Sequence, residues 1–428
     1  MKARIALVLA VSLGLAACQG DDITPPASSS MSAAAGQENF LTLAAQPALD
    51  NAQRDLLATI RGRASTAEVH LARIAGTPGQ MLQQGGAIRI ALAPGVQVVA
   101  AGERVERRSA DDISWAGPVR GGEGWVQMVL GDGGVNASVR VGNTLYSVEP
   151  LGGGLHAVSR IDERGFPDEH PADSPTGALS DALDSAVDGF RASASKKSGS
   201  DGTVGTLANT TINVMVVYTA AAASATSSIG NLIQLAVDET NQSYVNSGIS
   251  ISMNKVHVAQ VSYNESNRSF SQHVNALKST TDGIMDIVHT WRNTYAADVV
   301  VLVVNDSEAC GMAAAIKATA TSAFAAAHYS CITGYYSFGH EVGHLQGARH
   351  DRFVDSSTSP YPYGHGYIPP SKSWRTIMGY GNNCSNCKRI QYWSSPLKTY
   401  NGEVMGTATY EDNARVLNET RGTVAAFR

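Results

Sequence analysis

Residues 340–351 read HEVGHLQGARHD and contain three of the chain's 11 histidines together with two acidic residues. On a helix, His340 and His344 project from one face about a turn apart, the spacing at which two imidazoles can bind one metal ion. Glu341 lies beside them and can accept a proton from a metal-bound water without being a ligand itself. We therefore predict a metal-binding helix that carries a general base.

The second half of the stretch predicts a turn. Gly347 stands where a glycine can take the left-handed conformation that ends a helix and reverses the chain. That reversal would bring His350 to the same ion. Three neutral imidazoles and a water form a catalytic Zn²⁺ site with an open position. We expect His340, His344 and His350 to bind one zinc ion.

The composition is that of a soluble globular protein. Of its residues, 43% are hydrophobic and 16% are charged. The length of the chain, 428 residues, favours two or three domains. Its formal net charge of -5 shows no basic excess, so we expect no nucleic-acid partner.

The first residues, MKARIALVLAVSLGLAACQG, are typical of an export signal: two basic residues precede an apolar run too short for a comfortable membrane span. Residues 15–18 resemble a bacterial lipobox, in which Cys18 is lipidated and becomes the mature N-terminus. Gln19 would then direct the lipoprotein to the outer membrane. An ordinary signal peptide with an incidental cysteine is the alternative. We expect an exported protein of the bacterial cell envelope with a signal peptide at 1–18.

Four cysteines remain once Cys18 is assigned to a lipid. An even number in an exported protein favours disulfides, with three possible connectivities. We favour Cys310 with Cys331 and Cys384 with Cys387. The alternative, a four-cysteine zinc site, needs two close pairs, whereas the first two cysteines lie 21 positions apart.

The sequence predicts two folded domains and two flexible segments. Residues 19–44 are rich in Ser, Ala and Pro and are predicted to be a flexible tether. Residues 45–170 alternate short apolar runs with Gly-rich turns, which indicates a mostly β domain. Residues 171–208 form a linker, and its soft stretch ASASKKSGSDGTVG at 192–205 is a candidate processing region.

The C-terminal body, 209–428, mixes strand and helix patterns. Strands alternating with long helices imply an α/β (α+β) fold with a twisted mixed sheet. The predicted elements are a strand at 210–218, a helix to about 247, a strand at 249–263, one helix from 271 to about 295, a buried strand at 297–306 and a short edge strand at 322–328.

HEVGHLQGARH matches the HExxHxxGxxH motif of the metzincin zinc endopeptidases in full, and TIMGYG at 376–381 is similar to that family's methionine turn. The resemblance covers about 210 residues. It implies that Met378 forms an apolar floor beneath the metal. Tyr380 matches the position of a tyrosine that, in astacin-like and serralysin-like members, binds the resting metal or donates a hydrogen bond to the oxyanion. A plain structural tyrosine is the alternative.

Within the metzincins, SFGHEVGHLQGARHD, TIMGYG and QYWSSP are similar to the bacterial peptidyl-Asp metalloendopeptidases, which cleave on the N-terminal side of acidic residues, chiefly Asp. This preference implies a cation in the pocket just past the scissile bond, in the segment after the methionine turn. Arg389, with Lys388 beside it, is the candidate, and solvated surface charges are the alternative. Arg349 is a weaker candidate. We expect Asp351 to be an orienting or salt-bridge carboxylate.

By the same resemblance, the β domain is a propeptide that covers the cleft until it is removed, as in a zymogen. It contains no cysteine thiolate to block the zinc, so an acidic or histidine side chain in DERGFPDEHP at 162–171 is the candidate for binding the metal instead. The implied protein is anchored to the membrane before processing, and processing can release the catalytic domain.

The predicted function is zinc-dependent hydrolysis of protein or peptide substrates by a monomer. Glu341 takes the proton of the attacking water, Tyr380 steadies the oxyanion, and the substrate pairs with the edge near 322–328. The alternatives are a lipid-anchored binding protein that keeps a zinc fold without turnover, against which the intact Glu341 argues, and a non-peptidase zinc hydrolase. The sequence leaves open whether structural Ca²⁺ is bound.

Overall fold

The computed structural model describes residues 37–171 and 209–428. The predicted signal peptide with Cys18, the tether up to residue 36 and the linker beyond residue 171 with its processing region lie outside these residues. The two described ranges belong to one compact unit. In the part of the chain that the structure describes, no helix combines the length and apolarity that a membrane span requires.

Residues 37–171, the N-terminal body, form one ten-stranded sheet with two α-helices and a short 3-10 helix at Glu163–Gly165. The spatial order of its strands is β4-β3-β1-β2-β10-β9-β8-β7-β6-β5. Its elements are β1 Gln37–Leu43, α1 Asn51–Gly62, β2 Thr66–Ile74, α2 Pro78–Met81, β3 Ala87–Ala93, β4 Val96–Ala101, β5 Arg104–Arg107, β6 Ile113–Pro118, β7 Gly124–Gly131, β8 Gly134–Val141, β9 Thr144–Gly152 and β10 Leu155–Ile161.

The alternating pattern of the N-terminal body produces a sheet that buries one face in its own core. In β3, Ile88, Ile90 and Leu92 are buried, and the residues between them are less so. The sheet curls, as shown by an additional β-bridge between Ala100 of β4 and Val119, which lies just after β6. The predicted tether extends too far, because Gln37–Leu43 is a strand between β2 and β3. Its apolar residues pack in the core of the N-terminal body.

Residues 209–428, the C-terminal body, contain a five-stranded sheet with the order β12-β11-β13-β15-β14. Only β14 runs antiparallel to its neighbour. The elements are β11 Thr210–Tyr218, α3 Ala220–Ser224, α4 Ile229–Ser247, β12 Ile251–Gln260, α5 Phe270–Lys278, α6 Ile287–Thr294, β13 Val299–Val304, β14 Gly311–Ala313, β15 Phe324–His328, α7 Ser337–Gln346, β16 Trp374–Arg375, β17 Lys388–Arg389, β18 Ser395–Tyr400, β19 Glu403–Met405 and α8 Asn413–Val424.

Both faces of the five-stranded sheet are covered. Every residue of β13 is buried, as expected of a parallel strand with helices on both sides. Residues of α4, α7 and α8 pack on one face, and residues of α5 and α6 pack on the other. The mixed α/β architecture predicted from the sequence is present.

Three predicted elements differ from the structure. The predicted helix that ends at about residue 247 is two helices, α3 and α4. The predicted edge strand at 322–328 is β15, which pairs with β13 on one side and β14 on the other; the edge is the three-residue β14, too short to show a period. The predicted single helix at 271–295 is two helices, α5 and α6. Polar side chains between them bind the backbone locally, as when Asp282 accepts the N–H of Ile284 at 2.9 Å.

Helix α4 connects the two bodies. It packs against β12 of its own sheet and against β7 and β8 of the N-terminal body. Its polar residues are buried because they meet polar partners there: Asn231 donates from its amide to the carbonyl oxygen of Gly131 at 2.9 Å. Buried hydrogen bonds therefore contribute to holding the N-terminal body against α4.

Candidate metal centre

Helix α7 is buried along its whole length and ends at the predicted turn. Gly347 has φ +109°, and its N–H donates to the carbonyl oxygen of His344 at 2.8 Å. A side chain here would be strained by this φ, and its Cβ would lie 3.0 Å from Cε2 of Tyr361. The turn returns the chain so that His350 faces the helix.

The three predicted ligands converge on one point. Their Nε2 atoms lie 3.1 Å (His340 to His344), 3.1 Å (His340 to His350) and 2.9 Å (His344 to His350) apart. A tetrahedral zinc with bonds of about 2.0–2.1 Å would place two such nitrogens roughly 3.3 Å apart. The spacing of the three nitrogens therefore fits a single metal ion.

The opposite ring nitrogen of His344 selects the tautomer that a metal needs. Its Nδ1–H donates to the carbonyl oxygen of Ala348 at 2.8 Å, which leaves the lone pair of its Nε2 facing the other two histidines. Nδ1 of His340 lies 3.0 Å from the carbonyl oxygen of Ile377 and 2.6 Å from Nη2 of Arg389, which can only donate. That nitrogen faces both an acceptor and a donor, so these contacts select the tautomer of His344 alone.

Burial keeps these imidazoles neutral. It lowers the pKa of His340, His344 and His350 well below the ordinary histidine value, and the charge of Arg389 lowers each of them further. Neutral nitrogens are the form that binds a metal ion.

Glu341 lies next to the cluster with its side chain fully buried. Within the described residues neither of its carboxylate oxygens has a hydrogen-bond partner, although Oε2 lies 3.5 Å from Nε2 of His170. Burial raises the pKa of Glu341, against the opposing effect of His170. The edge strand passes close to it: a Cβ on Gly311 would lie 2.4 Å from Oε1 of Glu341. Glycine is needed there for that close approach.

The predicted methionine turn lies against α7. Met378 is fully buried in the same core as α7. Asp351 ties this turn to the loop that carries His350: its Oδ2 accepts the N–H of Tyr380 at 2.8 Å, and its own N–H donates to the carbonyl oxygen of Met378 at 3.2 Å. Asp351 thus orients two segments of the site through backbone bonds.

A fourth histidine, His170, enters the cluster from the N-terminal body. The candidate ligand atoms of His170, His340, His344 and His350 all lie within 4.8 Å of one another. The Nδ1 of His170 is 2.7 Å from the hydroxyl of Tyr380, whose pKa burial raises well above its usual value. The sequence points to the stretch 162–171 but does not single out the residue, because only the fold brings it here.

Arg389 lies in the same buried region. Its Nη1 is 2.6 Å from Oε1 of Glu169 and donates to the carbonyl oxygen of Tyr335 at 2.8 Å. Its Nε donates to the carbonyl oxygen of Ile377 at 2.8 Å, and its Nη2 lies 2.6 Å from Nδ1 of His340. Glu169 had no sequence signal that set it apart from the other acidic residues of its stretch.

The other two candidate cations lie elsewhere. Nζ of Lys388 is 2.7 Å from Glu123 of the N-terminal body, since successive side chains of β17 point to opposite faces. Nη1 of Arg349 pairs with Asp355 at 2.8 Å and is buried there. Of the three predicted pocket cations, the structure brings Arg389 to the histidine cluster.

The disulfide pairing favoured from the sequence is confirmed. Cys310 bonds to Cys331, with Cα atoms 5.5 Å apart, and this bridge ties the edge strand to the segment that leads into α7. Cys384 bonds to Cys387, with Cα atoms 5.3 Å apart, and closes the loop between the methionine turn and Arg389. Both bridges lie next to the site.

Comparisons with known proteins agree with this geometry. Residues 208–394 match the family Reprolysin_5, described as metallo-peptidase family M12. The chain is 45% identical over 296 residues to the peptidyl-Asp metalloendopeptidase of Xanthomonas campestris pv. campestris, covering 69% of this chain and 67% of that protein. A protein of the same name from Stenotrophomonas maltophilia is 45% identical over 299 residues, covering 69% and 68%. One from Pseudomonas fragi is 41% identical over 192 residues, covering 44% of this chain and 100% of its own.

Proposed function

We propose how this chain, which belongs to the peptidyl-Asp metalloendopeptidase family within the M12 metallopeptidases, selects and hydrolyses its substrates. The chain is a zinc metalloendopeptidase, and its substrates are proteins or peptides. The ligands that we assign to the zinc are His340, His344 and His350, because their neutral Nε2 atoms converge.

His340, His344 and His350 would hold the zinc, which when bound would supply a Lewis acid for the scissile carbonyl and lower the pKa of a water. Glu341 takes the proton of the attacking water and passes it to the leaving amine; its burial and raised pKa suit a group that gains and loses a proton during turnover. The hydroxyl of Tyr380 donates a hydrogen bond to the oxyanion. Met378 and Asp351 hold the surrounding segments in place.

Cleavage on the N-terminal side of acidic residues, chiefly Asp, is the proposed preference. The observation that carries it is the ion pair of Arg389 with Glu169, 2.6 Å apart, with side chains 0% and 4% exposed. An acidic substrate side chain would take the place of the Glu169 carboxylate beside the zinc ligands. A neutral side chain would leave the buried guanidinium charge uncompensated, which is strongly unfavourable.

The N-terminal body is proposed to be a propeptide, which makes the full chain a zymogen. Polar contacts that join it to the C-terminal body support this, because separable interfaces are more polar than cores. Nε of Arg63 donates to the hydroxyl of Tyr329 at 3.1 Å, and Nε2 of Gln391 donates to Oε1 of Gln127 at 2.6 Å. The lipobox-like sequence at 15–18 supports a lipid anchor at the outer membrane, and the linker supports release after cleavage.

The binding-protein alternative has no support, since relatives over most of the chain are named endopeptidases and Glu341 lies beside the ligands.

The test of the proposed function is cleavage-site profiling. Protein from which the residues before about 209 have been removed is incubated with a denatured protein mixture, with and without a zinc chelator, and new N-termini are read by mass spectrometry. We expect chelator-sensitive cuts that precede Asp. Cuts without an acidic preference would refute the pocket.

A further inference from the structure

We propose that Glu169 and His170 form an internal inhibitor in which one side chain fills the acidic-residue pocket and the next takes the open position at the metal. This inference rests on the proposed function, since the pocket of Arg389 is the one that Glu169 fills. It assigns the latency of the full chain to two adjacent side chains of the N-terminal body rather than to general coverage of the cleft.

The imidazole of His170 occupies the place where the attacking water is needed. Its ring centroid lies 5.4, 5.1 and 4.7 Å from those of His340, His344 and His350. Its side chain is 8% exposed, and its Nε2 lies 3.5 Å from Oε2 of Glu341. A fourth nitrogen among candidate ligand atoms that all lie within 4.8 Å of one another would fill the position that a catalytic zinc keeps open for water.

Tyr380 holds that imidazole in place. The bond between its hydroxyl and Nδ1 of His170 fixes the ring, with the planes of the two rings only 8° apart. The other ring nitrogen, Nε2, is the one near Glu341. His170 therefore contacts both of the groups proposed to act on the substrate, Glu341 and Tyr380, as well as the ligand cluster.

The backbone of the same segment occupies the edge of the sheet. The N–H of Cys310 donates to the carbonyl oxygen of Asp168 at 2.7 Å, and the N–H of Gly311 donates to the backbone carbonyl oxygen of Glu169 at 3.0 Å. Gly311 begins the edge strand β14, so a substrate strand that paired with this edge would need the same donors. The segment and a substrate exclude each other.

The segment places the side chain of Glu169 in the pocket, but the group that it directs at the zinc ligands is not the peptide bond that precedes Glu169. The bond that precedes Glu169 has its carbonyl oxygen on Asp168, and that oxygen is held by the N–H of Cys310. The group that faces the zinc ligands is the His170 imidazole instead. This arrangement explains how an acidic side chain can fill the pocket of a protease of this specificity and persist there.

The N-terminal body supplies the anchor. Glu163, a few residues earlier, pairs with Arg140 of β8, and its Oε2 lies 3.4 Å from the backbone N of Arg389. Phe166 stacks on Tyr335 with ring centroids 4.3 Å apart. Loss of the N-terminal body would remove this support, and a short free segment would leave the cleft.

The test uses the full chain loaded with Co²⁺, whose visible absorption reports its ligands, and acetohydroxamate as a small metal-binding probe. We expect the wild-type spectrum to be unchanged by the probe and the His170→Ala spectrum to shift when it binds. The uncleaved His170→Ala chain should also hydrolyse an Asp-containing peptide about 10²-fold faster than wild type, because a tethered inhibitor acts at high effective concentration. Glu169→Gln should show a smaller rise.

Asp168→Asn is the matched control, because Asp168 is exposed and takes part through its backbone; it should behave as wild type. His170→Asn replaces His170→Ala if that variant does not fold. A wild-type spectrum that shifts with the probe as fully as that of His170→Ala would overturn the inhibitor. If His170→Ala admits the probe yet hydrolyses no peptide, the inhibitor stands and the proposed function fails. If wild type and His170→Ala hydrolyse the peptide equally, the proposed function stands and the inhibitor fails.

Discussion

Oε1 of Glu169 lies 2.6 Å from Nη1 of Arg389, and the two residues come from different bodies of the chain. The pair is buried, so each charge depends on the other. Arg389 also lies against His340, one of the proposed zinc ligands. The cation that pairs with an acidic side chain thus adjoins the proposed metal centre, and under the proposed function this would put recognition of a substrate carboxylate next to the bond that is cut.

Glu341→Gln should keep the zinc and lose peptide hydrolysis. The carboxamide has nearly the same shape as the buried carboxylate but cannot take the proton of the attacking water, so turnover should fall by about 10³-fold or more. Zinc content and hydrolysis of a defined peptide are measured on the same sample. Full activity in a zinc-loaded Glu341→Gln protein would refute the assigned base.

Tyr380→Phe should act on kcat more than on KM. Loss of one oxyanion donor lowers kcat by about 10² in comparable sites. The same hydroxyl bonds Nδ1 of His170, so the uncleaved variant should admit acetohydroxamate more readily than wild type. Steady-state kinetics of the mature form and the Co²⁺ spectrum of the full chain check the two effects, and a wild-type kcat would exclude Tyr380 from the reaction.

Removal of the metal should lower the thermal midpoint of unfolding. A bound ion stabilises the folded state, since the proposed ligands His340, His344 and His350 converge only in the fold and the ion binds the unfolded chain more weakly. Scanning calorimetry with and without a chelator, followed by addition of Zn²⁺, measures this difference. An unchanged midpoint in a sample shown to be metal-free would contradict the assigned ligands.

Stability should fall as the pH rises toward 8. Burial raises the pKa of Glu239 to about 8 and that of Asp238 to about 6. Because these values lie above those of the unfolded chain, the folded state binds more protons, and its stability decreases with rising pH until both carboxyls are ionised. Thermal midpoints from pH 5 to 8 test this.

Glu239→Gln should flatten that dependence, because the amide stays neutral and can still accept the N–H of Gly334, which donates to Oε2 of Glu239 at 2.7 Å. Glu38→Gln, at an exposed position, is the matched control and should keep the wild-type slope. Equal slopes in all three proteins would show that Glu239 is not the group responsible.

The sequence predicted the parts of the site that depend on local spacing. His340 and His344 share a helix face, and Gly347 ends that helix because its φ of +109° suits a glycine. The fourth histidine could not be singled out, because its contact with the cluster depends on how a ten-stranded sheet packs on a distant helix. The choice between Lys388 and Arg389 needed the structure too, since it depends on which face of a two-residue strand each occupies.

The fold was predictable to a similar extent. The buried strands at Thr210–Tyr218 and Val299–Val304 have runs of β-branched residues that a parallel sheet covered on both faces requires. The edge strand Gly311–Ala313 is too short to carry a period, although it carries the backbone donors of the cleft. Short elements at a site depend on tertiary contacts that composition does not encode.

The central claim, that Arg389 reads a substrate carboxylate beside the zinc, is tested most directly by kcat/KM for two peptides that differ only in Asp or Asn after the scissile bond. Mature wild-type enzyme should favour the Asp peptide by about 10²-fold or more, since Asn leaves a buried charge unpaired. Arg389→Gln should keep its zinc and lose most of this preference, while Lys388→Gln should retain it. A zinc-loaded Arg389→Gln enzyme that still prefers Asp to the same degree would contradict the account.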